Sequence, residues 1–176
     1  MDREPTMKTA LLPNGVTLAY QEAGSGDALC LVHGFCGSSA YWQRIIPPLA
    51  QSHHVLAPDL RGHGKSSVPE ETYTVEKMAE DLLLLLDEAG IQKVALLGHS
   101  LGGYVALAFA ERYPHRLSAL GLIHSPRIPM TRRQRRTGPK EWRASAATAW
   151  NRLSRRWCPN CLRQTAPTVC RKSGSG

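Results

Sequence analysis

Residues 93–113, KVALLGHSLGGYVALAFAERY, restrict the fold of this chain more than any other stretch. The run Val94-Ala95-Leu96-Leu97 is short, apolar and ended by Gly98, the pattern of a parallel strand buried on both faces. Beyond it Tyr104, Ala106, Leu107, Phe109 and Ala110 recur at helical spacing, and Pro114 forbids continuation. Between strand and helix stand Gly98-His99-Ser100-Leu101-Gly102. A G-x-S-x-G turn lifts a serine hydroxyl above the edge of a sheet, on a strained backbone that admits only very small residues two before and two after it. Gly98 and Gly102 fill those two positions.

The flanking chain reads as alternating strands and helices. Segments 8–12 and 16–22 are extended candidates joined by Pro13-Asn14-Gly15, a hairpin signal. After a loop at 24–27, residues 28–32 form a buried strand that runs into His33-Gly34-Phe35. Ser38 or Ser39 can cap a helix carrying Tyr41, Trp42, Ile45 and Ile46, which Pro47-Pro48 must distort or end. A strand at 54–57 leads into Pro58-Asp59-Leu60-Arg61-Gly62-His63-Gly64-Lys65-Ser66. The Gly64-Lys65-Ser66 ending is no phosphate loop, because position 59, where such a loop needs glycine, is aspartate. Over 74–89, Val75, Met78, Ala79, Leu82, Leu85, Leu86 and Ala89 fall on one helical face and Gly90 ends it. Residues 117–123 form one more strand, ending in His124-Ser125. This order predicts an α/β fold, a mostly parallel sheet with helices on both faces. A ligand belongs at the carboxyl ends of its strands, where His33, Asp59, Ser100 and His124 fall.

Three separated motifs occur in order: His33-Gly34-Phe35, the Asp-x-Arg-Gly-x-Gly-x-Ser run at 59–66, and Gly98 to Gly102. Over about residues 12–125 the chain resembles the α/β-hydrolase family. That resemblance implies a nucleophile elbow with Ser100 as nucleophile and Gly98 and Gly102 as its supports. It also implies an oxyanion hole made by the backbone N–H groups of Phe35 and Leu101. A tetrahedral intermediate carries negative charge on the former carbonyl oxygen, and each preset donor lowers the barrier by roughly 3 kcal/mol. The expected substrate is a small-molecule ester or other acyl compound, handled through an acyl-enzyme with no cofactor and no metal. A serine at position 100 argues against dehalogenase or epoxide-hydrolase chemistry, which uses an aspartate there. His33 reads as a brace for its loop rather than as a base.

After Ser125 the resemblance stops. A complete family member continues with a cap region, two further strands, an acid and then a histidine. Here no histidine follows His124, and Glu141 is the only acid after position 125. The core is therefore expected to be cut short after its sixth strand and the chain to be catalytically incomplete, with His124 merely finishing its strand. The 117–123 strand would then be an exposed apolar edge open to self-association.

Charge divides the chain at the same place. Residues 1–125 hold 9 Lys+Arg against 13 Asp+Glu, a net −4, whereas 126–176 hold 13 against 1, a net +12. The overall +8 is thus a property of the tail. Leu, Ile, Val and Phe contribute only Ile128, Leu153, Leu162 and Val169 to that tail, too few to offset the entropy of ordering it. The expectation is two parts: 1–125, the N-terminal part of a hydrolase core, and 126–176, a disordered arginine-rich tail. Its 11 arginines against 2 lysines suggest a segment read out of frame, which would make the chain an inactive remnant. A nucleic-acid reading of the tail is weaker. The run 131–136 with Trp142, Trp150 and Trp157 supplies cations and stacking rings but no groove-reading fold. Cys158 and Cys161 with Cys170 fall one short of a four-ligand zinc site. Five cysteines, an odd number, and no apolar leader or 18-residue apolar span point to reduced thiols, a cytoplasmic protein and no membrane partner.

Overall fold

The computed structural model of the 176-residue chain describes residues 4–125 and the backbone of 169–171. β1 (Thr6–Leu11) and β2 (Thr17–Ala23) form the antiparallel ribbon. At its turn Gly15 takes φ 82°, and Asn14 Oδ1 accepts from the Val16 amide at 3.1 Å. Asparagine and glycine are the residues that accept such a backbone most readily.

β3 (Asp27–Val32), β4 (His53–Pro58), β5 (Val94–His99), β6 (Leu117–Ile123) and β7 (Val169–Arg171) complete one sheet in the order β1-β2-β4-β3-β5-β6-β7. Its centre, β4-β3-β5-β6, is parallel, and the flanking pairs are antiparallel. Side chains alternate across the sheet. Cys30, Val32, Leu56, Val94 and Leu96 join a core under α2 (Val75–Glu88) and α3 (Leu101–Arg112). Leu29, Leu31, Val55 and Ala57 face a second core with Trp42, Ile46 and Ala50. Both faces of the central strands are thereby covered, which is why those strands read as unbroken apolar runs.

Thr74 caps α2 by accepting from the Lys77 amide at 3.2 Å, and Gly90 takes φ 69° just past its end. The buried side of this helix also carries Asp81, which its apolar stripe does not announce. α3 is buried along nearly its whole length, and Gly102, Gly103, Ala106, Ala108 and Ala110 keep it slim enough to lie close to the sheet.

The single helix expected after Ser38 is not formed. A one-turn 3-10 helix at Ser39–Trp42 and the short α1 (Ile46–Leu49) replace it. Pro47 and Pro48 occupy the first turn of α1, where a missing N–H costs nothing, so they open a helix rather than end one. Ala119, Leu120 and Gly121 of β6 pair antiparallel with Arg171, Cys170 and Val169 of β7. The readings of the 131–136 arginines, Trp142, Trp150, Trp157 and the Cys158/Cys161 pair lie outside the described residues. Among the described residues no helix is long and apolar enough to cross a membrane.

Candidate active site

β5 carries the chain to Ser100, and α3 begins at the next residue. Ser100 takes φ 51° and ψ −110°, a region that costs a non-glycine residue about 1–3 kcal/mol and persists only where the surroundings enforce it. They do so here on both sides of the residue. The Ser100 N–H donates to Ile123 O at 3.1 Å, and its carbonyl accepts from Gly103 N at 3.0 Å and from Ser125 Oγ at 2.9 Å. The flanking glycines are sterically required. A Cβ on Gly98 would stand 2.2 Å from Gly102 O, and one on Gly102 would stand 2.3 Å from Val32 O.

The loop after β3 lies directly across from this bend. A Cβ on Gly34 would come within 3.3 Å of Ser100 Cβ and 2.8 Å of His99 Nδ1. Phe35 follows with 68% of its surface exposed and its ring edge-on to His63 at 6.1 Å. Leu101, in contrast, is buried, and as the first residue of α3 its N–H has no acceptor within the helix. Gly34, the residue before Phe35, thus lies against Ser100 from the loop, and Leu101 follows Ser100 at the helix start.

His33 fixes that loop. It is fully buried; its Nε2 accepts from the Leu60 N–H at 3.0 Å, so the ring proton sits on Nδ1 and is donated to Gly34 O at 2.7 Å. Burial pushes its pKa below the ordinary histidine value, with His63 acting in the same direction against the opposing Gly34 bond. A neutral imidazole held at both nitrogens is a brace between two loops.

The 59–66 loop is held by charge. The buried Asp59 carboxylate accepts from Ser39 N at 2.5 Å and Lys65 N at 2.8 Å, and a Cβ on Gly64 would lie 2.1 Å from its Oδ2. Asp59 is therefore committed to backbone amides and orders the rim. Arg61, also buried, pairs with Asp81 of α2 and with Glu71.

Of the histidines at the strand ends, His99 stacks on Tyr41 with centroids 4.9 Å apart, and His124 sits edge-on to His99 at 6.2 Å. Burial, and then His124, push the His99 pKa down. Among the described residues no histidine and no carboxylate is hydrogen-bonded to Ser100 Oγ. Sequence reasoning passed over Tyr41 as a neighbour of His99, and Ser125 as a partner of Ser100. Neither has a local signal, since a serine after a strand is commonplace and the Tyr41–His99 stack spans 58 residues.

A family model described as alpha/beta hydrolase fold matches residues 27–157, running past the position where the motifs stop. The bifunctional epoxide hydrolase 2 of Sus scrofa is 38% identical over 122 residues, which is 68% of this chain and 22% of that protein. The crystal structure of Epoxide Hydrolase A from Mycobacterium thermoresistibile superposes with a TM-score of 0.66 at 38% identity, over 73% of this chain and 41% of that one. The structure of a thermophilic esterase from Thermogutta terrifontis gives 0.67 at 36% identity, over 73% and 48%. This chain spans less than half the length of each of these proteins.

Proposed function

Starting from the fact that the chain belongs to the alpha/beta hydrolase fold family, we propose that it is a serine hydrolase in which Ser100 attacks a small-molecule ester or other acyl substrate. The observation that carries this reading is the strained Ser100 backbone, enforced from both sides, with the Ser100 Cβ 3.3 Å from where a Gly34 side chain would begin. In the reaction Ser100 Oγ bonds to the substrate carbonyl carbon and the carbonyl electrons move onto oxygen. The N–H groups of Phe35 and Leu101 receive that oxyanion, the alcohol leaves with a proton, and water later releases the acid from the acyl-enzyme. Among its named relatives are epoxide hydrolases as well as an esterase. Where the family resemblance assigns epoxide hydrolases an aspartate, this chain has the Ser100 hydroxyl, which favours acyl transfer.

Among the described residues no base is hydrogen-bonded to Ser100; with its proton passing to solvent, several powers of ten are typically lost and about 10³-fold acceleration remains from the hole and binding. The chain in this reading acylates slowly and needs no cofactor, and its site of action is the cytoplasm. A fluorophosphonate probe should label the purified chain at Ser100, and p-nitrophenyl acetate should give a burst; both should vanish in Ser100→Ala. A folded chain that takes no label, or one that labels equally in Ser100→Ala, overturns the reading, and the first result identifies an inert remnant.

A further inference from the structure

Ser125, two residues past the end of β6, touches one of the two peptides on which the proposed oxyanion hole depends. Its Oγ donates to the Ser100 carbonyl at 2.9 Å, beside the Gly103 N–H at 3.0 Å, so both lone pairs of that oxygen are engaged. The fit is tight, for a Cβ on Gly103 would lie 2.1 Å from Ser125 Oγ and 2.4 Å from its Cβ. In a trans peptide the C=O and the following N–H point in opposite directions and move as one plane. Fixing the Ser100 carbonyl toward Ser125 therefore fixes the Leu101 N–H away from it. A rotation of this plane would withdraw the Leu101 donor, and Ser100, at φ 51°, already has a backbone that its own steric preferences do not hold.

We propose that Ser125 is a positioning residue of the oxyanion hole, its hydroxyl locking the 100–101 peptide so that the Leu101 N–H stays presented to the reacting carbonyl. The proposal rests on the serine-hydrolase reading of Ser100. It assigns Ser125 no contact with substrate. The clamp acts on transition-state charge, so it governs how fast Ser100 is acylated and leaves substrate binding alone.

The test is burst kinetics of the full chain with p-nitrophenyl acetate, comparing wild type, Ser125→Ala and Gly103→Ala. The last variant displaces the Ser125 hydroxyl from the other side. Losing one neutral hydrogen bond of ordinary strength corresponds to about a fivefold to tenfold effect. Ser125→Ala is expected to lower the acylation rate constant by that factor, with unchanged burst amplitude and unchanged half-saturating concentration; Gly103→Ala should do the same and carries the test if the first variant does not fold. A smaller amplitude at an unchanged rate constant would mean that Ser125 only keeps the chain folded, and the proposal is overturned. So is it by a wild-type rate in both variants. A wild-type chain with no burst at all defeats instead the reading of Ser100, a result distinct from either.

Discussion

The Arg61 guanidinium meets the Asp81 carboxylate through two parallel contacts, Nε to Oδ2 at 2.5 Å and Nη2 to Oδ1 at 2.6 Å. Both side chains are buried, and Asn14 Nδ2 adds a donor to Asp81 Oδ1 at 2.8 Å while Glu71 takes the remaining Arg61 nitrogen. The loop that follows β4, the middle of α2 and the first hairpin turn are thus tied at one point. A buried pair of this kind contributes little over an apolar pair of the same shape, but removing one partner strands the other charge. Asp81→Ala should cost about 3–5 kcal/mol, and Arg61→Met with Asp81→Leu should recover most of it. Urea unfolding followed by far-UV circular dichroism measures both; equal losses in the single and double variants would show that the charges themselves stabilise the fold.

What the sequence disclosed and withheld divides by the range of the interaction. The strand at 117–123, the α2 stripe and the Asn14-Gly15 turn rest on periodicity and on turn chemistry, both written within a few neighbouring residues. Gly98 and Gly102 were legible for the same reason, since the bend they serve is five residues long. Asp81 was hidden because the residue that explains it, Arg61, is 20 positions away. The Ser125–Ser100 bond spans 25 positions, and β7 lies nearly fifty positions beyond β6. Pro47-Pro48 misled for a local reason, because the same dipeptide can end one helix or begin the next.

Steric demand at the bend yields a graded prediction. At Gly98 and Gly102 the atoms that would meet a new Cβ are backbone oxygens at 2.2 and 2.3 Å, which cannot swing aside. Gly98→Ala and Gly102→Ala should each lose about 1–3 kcal/mol and abolish fluorophosphonate labelling of Ser100. Gly90 also has a positive φ, 69°, but nothing lies within 4 Å of its would-be Cβ. Gly90→Ala should therefore cost about 1–2 kcal/mol of backbone strain and keep the wild-type labelling rate. Thermal melts alongside labelling separate the two classes, and normal labelling in Gly98→Ala would contradict the tight bend.

The two cysteines of the 4–125 region should differ sharply in reactivity. Cys30 lies within β3 among core side chains, and burial pushes its thiol pKa up to about 12. Cys36 is exposed in the loop facing Ser100. Thiolate is the reactive form and reagent must reach it, so Cys30 is closed on both counts. Iodoacetamide at pH 8 should alkylate Cys36 in the native chain and spare Cys30 until denaturant is added. Peptide mapping by mass spectrometry reads this directly, and native alkylation of Cys30 would show that β3 is not in the core.

His33 makes stability depend on pH with a defined sign. Its folded pKa lies below the ordinary 6.5, chiefly through burial, whereas the unfolded chain takes up a proton on this ring near that value. Below about pH 6.5 the unfolded state binds more protons than the folded one, and stability therefore rises with pH in that range. The contribution is complete above about pH 6.5 and is lost as the pH falls, until the folded ring also protonates. Protonation would turn Nε2 from the acceptor of the Leu60 N–H into a second donor facing it, releasing the loop that carries Asp59 and Arg61. The urea midpoint should be level between about pH 7 and 8 and fall below about pH 6.5. In His33→Asn, which is less stable throughout, that fall should be shallower. An equally steep decline in the variant would assign the pH dependence to other groups and leave His33 as a brace without a titration.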